Sequence, residues 1–259
     1  MANQEFAAIH QAFADESAQR VAAAGADAEL QAKSDAWLAH SFRHQYSYNF
    51  TWLGRPIIQY PQDVMALQEL VWTIKPDLII ETGIAHGGSL ILNASLLALL
   101  DLCEGRTADL RRVVGVDIDI RPHNRAAIEE HPLFSRISLI QGSSVADEII
   151  EQVRREAATA ERVLVILDSN HTHEHVLREL ELYSPLVSVG SYCVVFDTVV
   201  EHMPAEFFPD RPWGPGNNPK TAVHEYLASP AGQDFEIDRA LQNKLLITVA
   251  PDGFLKRVR

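Results

Sequence analysis

The chain has 259 residues, of which 47% are hydrophobic and 22% charged, with 13 glycines and 13 prolines. This composition is typical of a globular protein and excludes the collagen-like, disordered and low-complexity classes. The formal net charge of −13 would repel phosphate backbones and anionic lipid surfaces. We therefore expect neither nucleic acid nor a membrane among its partners.

The cysteines and the N-terminal segment bear on the cellular compartment. Cys103 and Cys193 lie in apolar runs and provide neither a disulfide framework nor a paired-cysteine zinc site. Residues 1–20 lack the basic start and the apolar stretch of a signal peptide, and the apolar run 90–102 is too short to span a bilayer. We expect a cytoplasmic protein.

The first sixty residues are predicted to form an extension before the main domain, which would comprise residues 61–259. Residues 1–40 have loosely helical apolar spacing with a break near Gly25, which predicts helices. The aromatic stretch 40–61 contains two prolines and one glycine and is expected to be irregular. Pro61 then opens a predicted helix that ends before Pro76.

From Asp77 onward, short apolar runs alternate with amphipathic segments, which is typical of βαβ units in a parallel sheet of an α/β protein. The last 25 residues contain short apolar stretches and a Pro-Asp-Gly turn and predict a closing antiparallel hairpin. The predicted strands are Leu78–Ile80, Val113–Val116, Ile137–Ile140, Val163–Leu167 and Tyr192–Phe196. The predicted helices between them are Ser89–Leu102, Arg125–His131, Val145–Ala157 and Thr172–Leu182.

A polar residue or turn follows each of these strands where its apolar run stops. Because the carboxyl ends of parallel strands share one edge of the sheet, ligands bind in the crevice outside that edge. Any one of these residues has the alternative role of ending a strand and capping the next helix. Five in succession predict one polar cleft, built from Glu81, Asp117, the turn 141–144, Asp168 and Asp197.

The turn Glu81–Ser89 contains three glycines and leads directly into a helix. Glycines allow close backbone approach to a ligand, and a helix N-terminus offers free N–H groups, so a nucleotide-like ligand is expected there. The dinucleotide fingerprint is absent because Ala85 stands where the second glycine would be, which disfavours nicotinamide and flavin enzymes. Asp117 is placed to bind two ribose hydroxyls.

Several blocks of the sequence together resemble the cephalosporin hydroxylase and rhamnosyl O-methyltransferase family, over roughly residues 50–259. Within it, the similarity is greatest to sugar O-methyltransferases of natural-product pathways. The resemblance implies a Rossmann-like class I methyltransferase fold with a mostly parallel seven-stranded sheet, and S-adenosylmethionine as cofactor. The blocks are Glu81–Ser89, 113–124, 167–176, 196–198 and the terminal LLITVAPDGFLKRV.

The resemblance also implies site residues. Asp117 would hold the ribose, and the methionine part of the cofactor would lie by Glu81, Gly83, Gly87, Gly88 and Ser89. Ser143 and Ser144 would flank the adenine. Asp168 and Asp197 match positions that bind Mg²⁺ in metal-dependent relatives. Those relatives carry two adjacent acids where this chain has Phe196 and Asp197, so one ligand is missing.

Methyl transfer requires the protein to align an acceptor hydroxyl and remove its proton. A cation bound by carboxylates would stabilise the developing alkoxide, so Asp168 is expected to be catalytic and to contact the cofactor as well as the cation. His171 is the expected base, because an imidazole is largely neutral at pH 7. His202 is a second candidate, and His171 with His173 and His175 also allows a zinc-hydrolase interpretation.

A proline-rich segment, 199–220, contains three aromatic residues and predicts a lid over the site. Arg211 and Lys220 within it would face an anionic group or lie solvated on the surface. The segment 42–60 would complete the acceptor pocket or pack on another subunit.

The acceptor is expected to be a small-molecule sugar or nucleotide sugar, and the helical extension suggests a homo-oligomer. An oxygenase remains as an alternative function, and it would require an iron site of two histidines and one carboxylate. A noncatalytic module is the other alternative, in which His86 would plug the cofactor turn.

Overall fold

The computed structural model describes residues 2–259, with side chains from residue 6 onward. Two helices, α1 (Ala2–Ala26) and α2 (Ala28–Phe42), form the N-terminal extension. The break between them falls at Asp27, whose carboxylate accepts a hydrogen bond from the Leu30 N–H at 3.0 Å and caps α2. Gly25, where the break was expected, lies inside α1 and packs closely on Asn243.

The aromatic stretch that follows contains regular structure where the sequence predicted none. Strands β1 (Phe50–Trp52) and β2 (Arg55–Ile57) form an antiparallel hairpin, joined by Leu53 and Gly54 with φ of 44° and 87°. Two successive residues in the left-handed region are typical of a tight hairpin turn. Helix α3 (Pro61–Ile74) then begins at Pro61 as predicted and ends at Lys75.

A seven-stranded sheet forms the centre of the protein, in the order β5-β4-β3-β6-β7-β9-β8. The five strands β3 to β7 are parallel, and β9 is antiparallel to both β7 and β8. This confirms the predicted α/β, Rossmann-like architecture. The strands are β3 (Leu78–Thr82), β4 (Arg112–Asp117), β5 (Ile137–Gln141), β6 (Val163–Leu167), β7 (Tyr192–Val195), β8 (Phe235–Ile237) and β9 (Phe254–Arg257).

The closing antiparallel pair is present, but a helix lies between its two strands. Asp238 accepts a hydrogen bond from the Leu241 N–H at 2.9 Å and so starts this helix directly after β8. The Pro-Asp-Gly turn leads into β9. The helices of the main domain are α4 (Gly88–Glu104), α5 (Pro122–Glu129), α6 (Asp147–Ala157), α7 (His173–Tyr183), α8 (Pro219–Ala228) and α9 (Arg239–Leu245).

Helices cover both faces of the sheet, so its central strands are buried on both sides. Every residue of β3 and β6 is buried, and successive residues enter different core clusters: Ile79 packs on one face, Leu78 and Ile80 on the other. In the chain from residue 2 onward, no helix combines the length and apolarity needed to cross a membrane. Because strands β3 to β7 are parallel, their polar carboxyl ends gather at one rim of the sheet.

Candidate functional site

Two glycines allow the turn after β3 to lie tightly against its neighbours. Gly83 has φ of +87°, and a Cβ there would overlap the backbone carbonyl of Asp168. A Cβ at Gly88, the first residue of α4, would overlap the carbonyl of Pro56 in the hairpin. The turn is thus held between the end of β6 and the hairpin, which positions it at the mouth of the cleft.

Glu81 is buried beneath this turn and binds the first two turns of α4. Its carboxylate accepts hydrogen bonds from Ser89 Oγ and from Asn93 Nδ2, the latter at 2.7 Å. The side chain is 1% exposed, and burial raises its pKa from 4.5 to about 7. Glu81 does not line the cleft, and neither does Gly87, which caps α4 with φ of 83°. Both act beneath the surface where cofactor contacts were predicted.

Asp117, at the end of β4, connects two turns of the rim. One carboxylate oxygen accepts a hydrogen bond from the Ile84 N–H at 2.7 Å, and the other from the Asp119 N–H at 3.0 Å. These bonds fix the carboxylate while the side chain remains half-buried at the cleft. It is therefore available to a ligand that approaches along the rim.

The cleft is a cavity of about 310 Å³. Its walls come from the glycine turn, from the ends of β4, β6 and β7, and from the stretch between Phe42 and Gln59. Among the residues that line it in the described part of the chain, Asp117, Asp168 and Asp197 are acidic, and there is no lysine or arginine. This cavity favours a cationic ligand.

Asp168, His171 and Asp197 meet at the floor of this cavity. One potential ligand atom from each lies within 4.8 Å of the others, and His171 Nε2 is 3.2 Å from Asp197 Oδ2. Burial and the charge of Asp197 raise the pKa of Asp168 well above its ordinary value. A group that holds two carboxylates this close is suited to a bound cation, because a cation relieves their repulsion.

A second cavity of about 200 Å³ adjoins the first and shares Gly83, Asp117 and Ser169 with it. Ser143 and Ser144 line it, and Ser144 Oγ lies 3.0 Å from His175 Nε2. The two cavities lie side by side along the strand ends, and together they are called the groove below.

The proline-rich segment folds back over this groove. Trp213 lines the second cavity and packs edge-on against His171, with ring centroids 4.9 Å apart. Glu201 accepts hydrogen bonds from the Gly216 N–H at 2.8 Å and from Asn218 Nδ2, which close the segment on itself. The segment therefore has a defined structure, and Trp213 brings it to the second cavity.

The sequence matches the protein-family model for rhamnosyl O-methyltransferase/CmcI over residues 44–258. The chain belongs to this family. A rhamnosyl O-methyltransferase of Mycobacterium leprae (strain TN) is 31% identical over 226 residues, which cover 85% of this chain and 90% of that protein. Membership of the rhamnosyl O-methyltransferase/CmcI family supports an S-adenosylmethionine-dependent O-methyltransferase.

Two solved structures of family members have the same fold. The structure described as "CmcI-N160 apo-structure" has a TM-score of 0.54 and 20% identity, covering 82% of this chain and 77% of that one. The structure described as "cmcI-D160 Mg-SAM" has a TM-score of 0.52 and 21% identity, covering 82% and 78% of the two chains. At these identities the likeness establishes the fold alone.

Several predicted site residues lie away from the cleft of this family member. His202 Nε2 is 2.7 Å from Lys220 Nζ, and Lys220 also pairs with Asp252 at 3.1 Å, so neither faces the cavity. Arg211 is exposed and lies over the Trp213 ring, 5.1 Å from its centroid.

Among the described residues, His171, His173 and His175 do not converge on one zinc or iron site. His173 pairs with Thr221 and Glu225, and His175 with Ser144, Ser169 and Glu179, whereas His171 lies beside Asp197. Within the described residues the potential metal group therefore has one histidine and two carboxylates, and the iron site expected of an oxygenase is not formed. His86 lines the cavity without closing it.

Phe196 lies outside the cavity, whereas Gln59 lines it. Phe196 is 2% exposed and belongs to the core, so it provides no ligand, and His171 lies beside Asp197 instead. Gln59, which sequence reasoning did not single out, lines the cavity and donates from Nε2 to Asp168 Oδ2 at 3.4 Å. The only signal for it was the expectation that the segment 42–60 completes the pocket.

Proposed function

We propose that this protein transfers a methyl group from S-adenosylmethionine to a hydroxyl of a rhamnose-like sugar. The observation that supports it most is the meeting of Asp168, His171 and Asp197 in the cavity that the glycine turn and Asp117 also line. Family membership and the 31% identity to rhamnosyl O-methyltransferases support the same reaction.

The cofactor suits the charge of the groove. S-adenosylmethionine carries a sulfonium cation, and three carboxylates line a cavity without lysine or arginine in the described chain. We assign the ribose to Asp117 and the adenine to the second cavity, beside Ser143 and Ser144. Methionine would lie between Gly83 and the start of α4, over Gly88 and Ser89.

The side chains at the floor of the cavity fit a divalent cation. Asp168 and Asp197 offer hard oxygen ligands of the kind Mg²⁺ prefers, and an oxygen of each lies within 4.8 Å of the other. When bound there, Mg²⁺ would polarise the acceptor hydroxyl and favour its alkoxide form. The solved relative described with Mg and SAM supports this assignment by analogy of fold.

His171 would remove the proton of the acceptor hydroxyl. One ring nitrogen faces Asp197, which fixes the orientation of the imidazole, and the edge-on contact with Trp213 restrains the ring further. The second nitrogen of a neutral imidazole is then available to accept a proton. If the segment 199–220 acts as a lid, Trp213 would shield His171 from water when the substrates are bound.

The acceptor would enter past the aromatic stretch. Phe42 and Tyr48 line the cavity, and aromatic faces suit the apolar surface of a deoxysugar. We infer a nucleotide sugar or a glycoside of natural-product biosynthesis as the substrate.

The exposed apolar residues Phe6, Ile9 and Phe13 on α1 support the expectation of a homo-oligomer.

A methylation assay tests this function. The purified protein is incubated with Mg²⁺, S-adenosylmethionine and a panel containing a nucleoside-diphosphate rhamnose and alkyl rhamnosides, and products are identified by mass spectrometry. A gain of one methyl group on a sugar is expected with the wild-type protein and not with the variant Asp168→Asn. Binding of S-adenosylhomocysteine without methylation of any sugar would contradict the acceptor assignment, and no binding at all would contradict the whole proposal.

A further inference from the structure

Gln59 is a buried polar side chain with an unused hydrogen-bonding atom. It is 4% exposed and lines the 310 Å³ cavity. Its Nε2 donates to Asp168 Oδ2 at 3.4 Å, which leaves Oε1 as an acceptor, and Oε1 has no partner among the described residues. A buried acceptor without a partner is costly, so a donor supplied by a ligand would stabilise it.

The backbone that carries Gln59 is fixed against the glycine turn. Arg55 donates to the carbonyl of His86 from Nε at 3.1 Å and from Nη2 at 2.6 Å. The carbonyl of Pro56 lies where a Cβ of Gly88 would be. Residues 55–59 therefore lie along the start of α4, and Gln59 faces the same cavity as that helix terminus.

The start of α4 provides the complementary charge. The helix has 17 residues, and its N-cap, Gly87, has no side chain to bond the first backbone N–H groups. Free N–H groups and the helix dipole favour an anion there, such as a carboxylate. An acceptor oxygen on Gln59 and the acidic residues around it favour a cation. A zwitterion satisfies both ends of this arrangement.

We propose that Gln59 binds the amino-acid end of the cofactor, with Oε1 accepting a hydrogen bond from the α-ammonium group while Nε2 orients Asp168. The α-carboxylate would lie at the start of α4. This inference rests on the proposed function, since it presupposes S-adenosylmethionine in the cavity. It adds a cofactor contact that comes from the hairpin segment rather than from the strand ends.

A calorimetric comparison of two ligands tests the contact. The ligands are S-adenosylhomocysteine and an analogue in which hydrogen replaces the α-amino group, and the proteins are the wild type and the variant Gln59→Leu. The wild type should prefer S-adenosylhomocysteine, and Gln59→Leu should lose about tenfold or more of that preference, the size expected for one hydrogen bond to a charged group. Affinity for the analogue should change less than about threefold.

Gln62→Leu is the matched control. Gln62 lies in the first turn of α3, also has an unpartnered side-chain oxygen and does not line the cavity. Its substitution should leave the preference unchanged. If Gln59→Leu weakens both ligands equally, or neither, Gln59 is not the ammonium acceptor even though the wild type binds S-adenosylhomocysteine. Failure of the wild type to bind either ligand would instead contradict the proposed function.

A second measurement does not depend on the variant folding. In a crystal structure of the wild type with S-adenosylhomocysteine, Gln59 Oε1 should lie within about 3.2 Å of the ligand nitrogen. A larger separation, with the ammonium group bonded elsewhere, would overturn the inference.

Discussion

His171 Nε2 lies 3.2 Å from Asp197 Oδ2, although the two residues follow different strands of the sheet. Asp197 has φ of 55°, a left-handed conformation that turns the chain sharply after β7. His171 lies just before α7, in the turn that follows β6. The contact places an imidazole beside an acid at the cleft, and it makes His171 the residue whose substitution is most informative.

We expect His171→Ala to lower turnover about 10²- to 10⁴-fold, because a positioned general base contributes about that much. The dissociation constant for S-adenosylhomocysteine should change by less than about threefold. His173→Ala is the matched control, since His173 bonds Thr221 and lies outside the cavity. Wild-type turnover in His171→Ala would eliminate this histidine as the base.

Asp117→Ala is expected to weaken cofactor binding about tenfold or more, measured by calorimetry. The carboxylate is lost as a hydrogen-bond acceptor for the ribose, and the Ile84 N–H loses its partner, which loosens the glycine turn. Asp147→Ala, at an exposed position in the first turn of α6, should leave the affinity unchanged. Equal affinities in all three proteins would contradict the ribose assignment.

Metal dependence is a separate prediction. Activity should disappear after exhaustive chelation and return with Mg²⁺, because Asp168 and Asp197 are expected to hold the cation. Mn²⁺ binding, followed by electron paramagnetic resonance, should weaken at least tenfold in Asp168→Asn and in Asp197→Asn. The variant Asp210→Asn, at an exposed position in the proline-rich segment, is the control. Full activity in chelator would remove both acids from this role.

The buried acid Glu81 should make stability depend on pH. Its pKa is about 7 in the folded protein against an ordinary 4.5, because burial favours the protonated carboxyl. The unfolding free energy that depends on this protonation is fully present below about pH 4.5 and is lost as the pH rises through about 7. Relative to Glu81→Gln, the wild type should lose about 3 kcal/mol of unfolding free energy across this range, at 1.36 kcal/mol per pKa unit. Chemical denaturation at several pH values measures it.

Exposed Glu148 offers the control for this pH dependence. Glu148→Gln should follow the wild-type profile. A difference between Glu81→Gln and the wild type that stays constant from pH 4.5 to 8 would show that Glu81 does not ionise in this window.

Gly88→Ala should destabilise the protein by about 1–3 kcal/mol, the usual cost of adding atoms to a packed site. The new Cβ overlaps the carbonyl of Pro56, so the hairpin must move away from the glycine turn. Cofactor affinity should fall with it. Gly214→Ala is the matched control, because a Cβ at Gly214 meets no atom within 4 Å. Equal thermal midpoints for the two variants would contradict the tight packing of hairpin and turn.

The sequence alone determined the five parallel strands of the sheet and the helices between them. Short apolar runs such as Val163–Leu167 fit buried strands and are too short for buried helices. The helical segments between these runs connect the strands as parallel crossovers. That order brings Asp117, Asp168 and Asp197 to one rim wherever their side chains point. The alternation of short runs and amphipathic segments is local information, and local information is sufficient for topology of this kind.

Only the tertiary structure decided which polar residues face the ligand. Glu81 and Asp117 each follow a strand, yet one lies under the turn and the other at the cleft, because side-chain direction depends on the packing of neighbouring turns. The contact of Gln59 with Asp168 joins segments far apart in sequence, and no periodicity encodes it. His171, His173 and His175 alternate along the chain, yet long-range packing gives each a different partner: Asp197, Thr221 and Ser144.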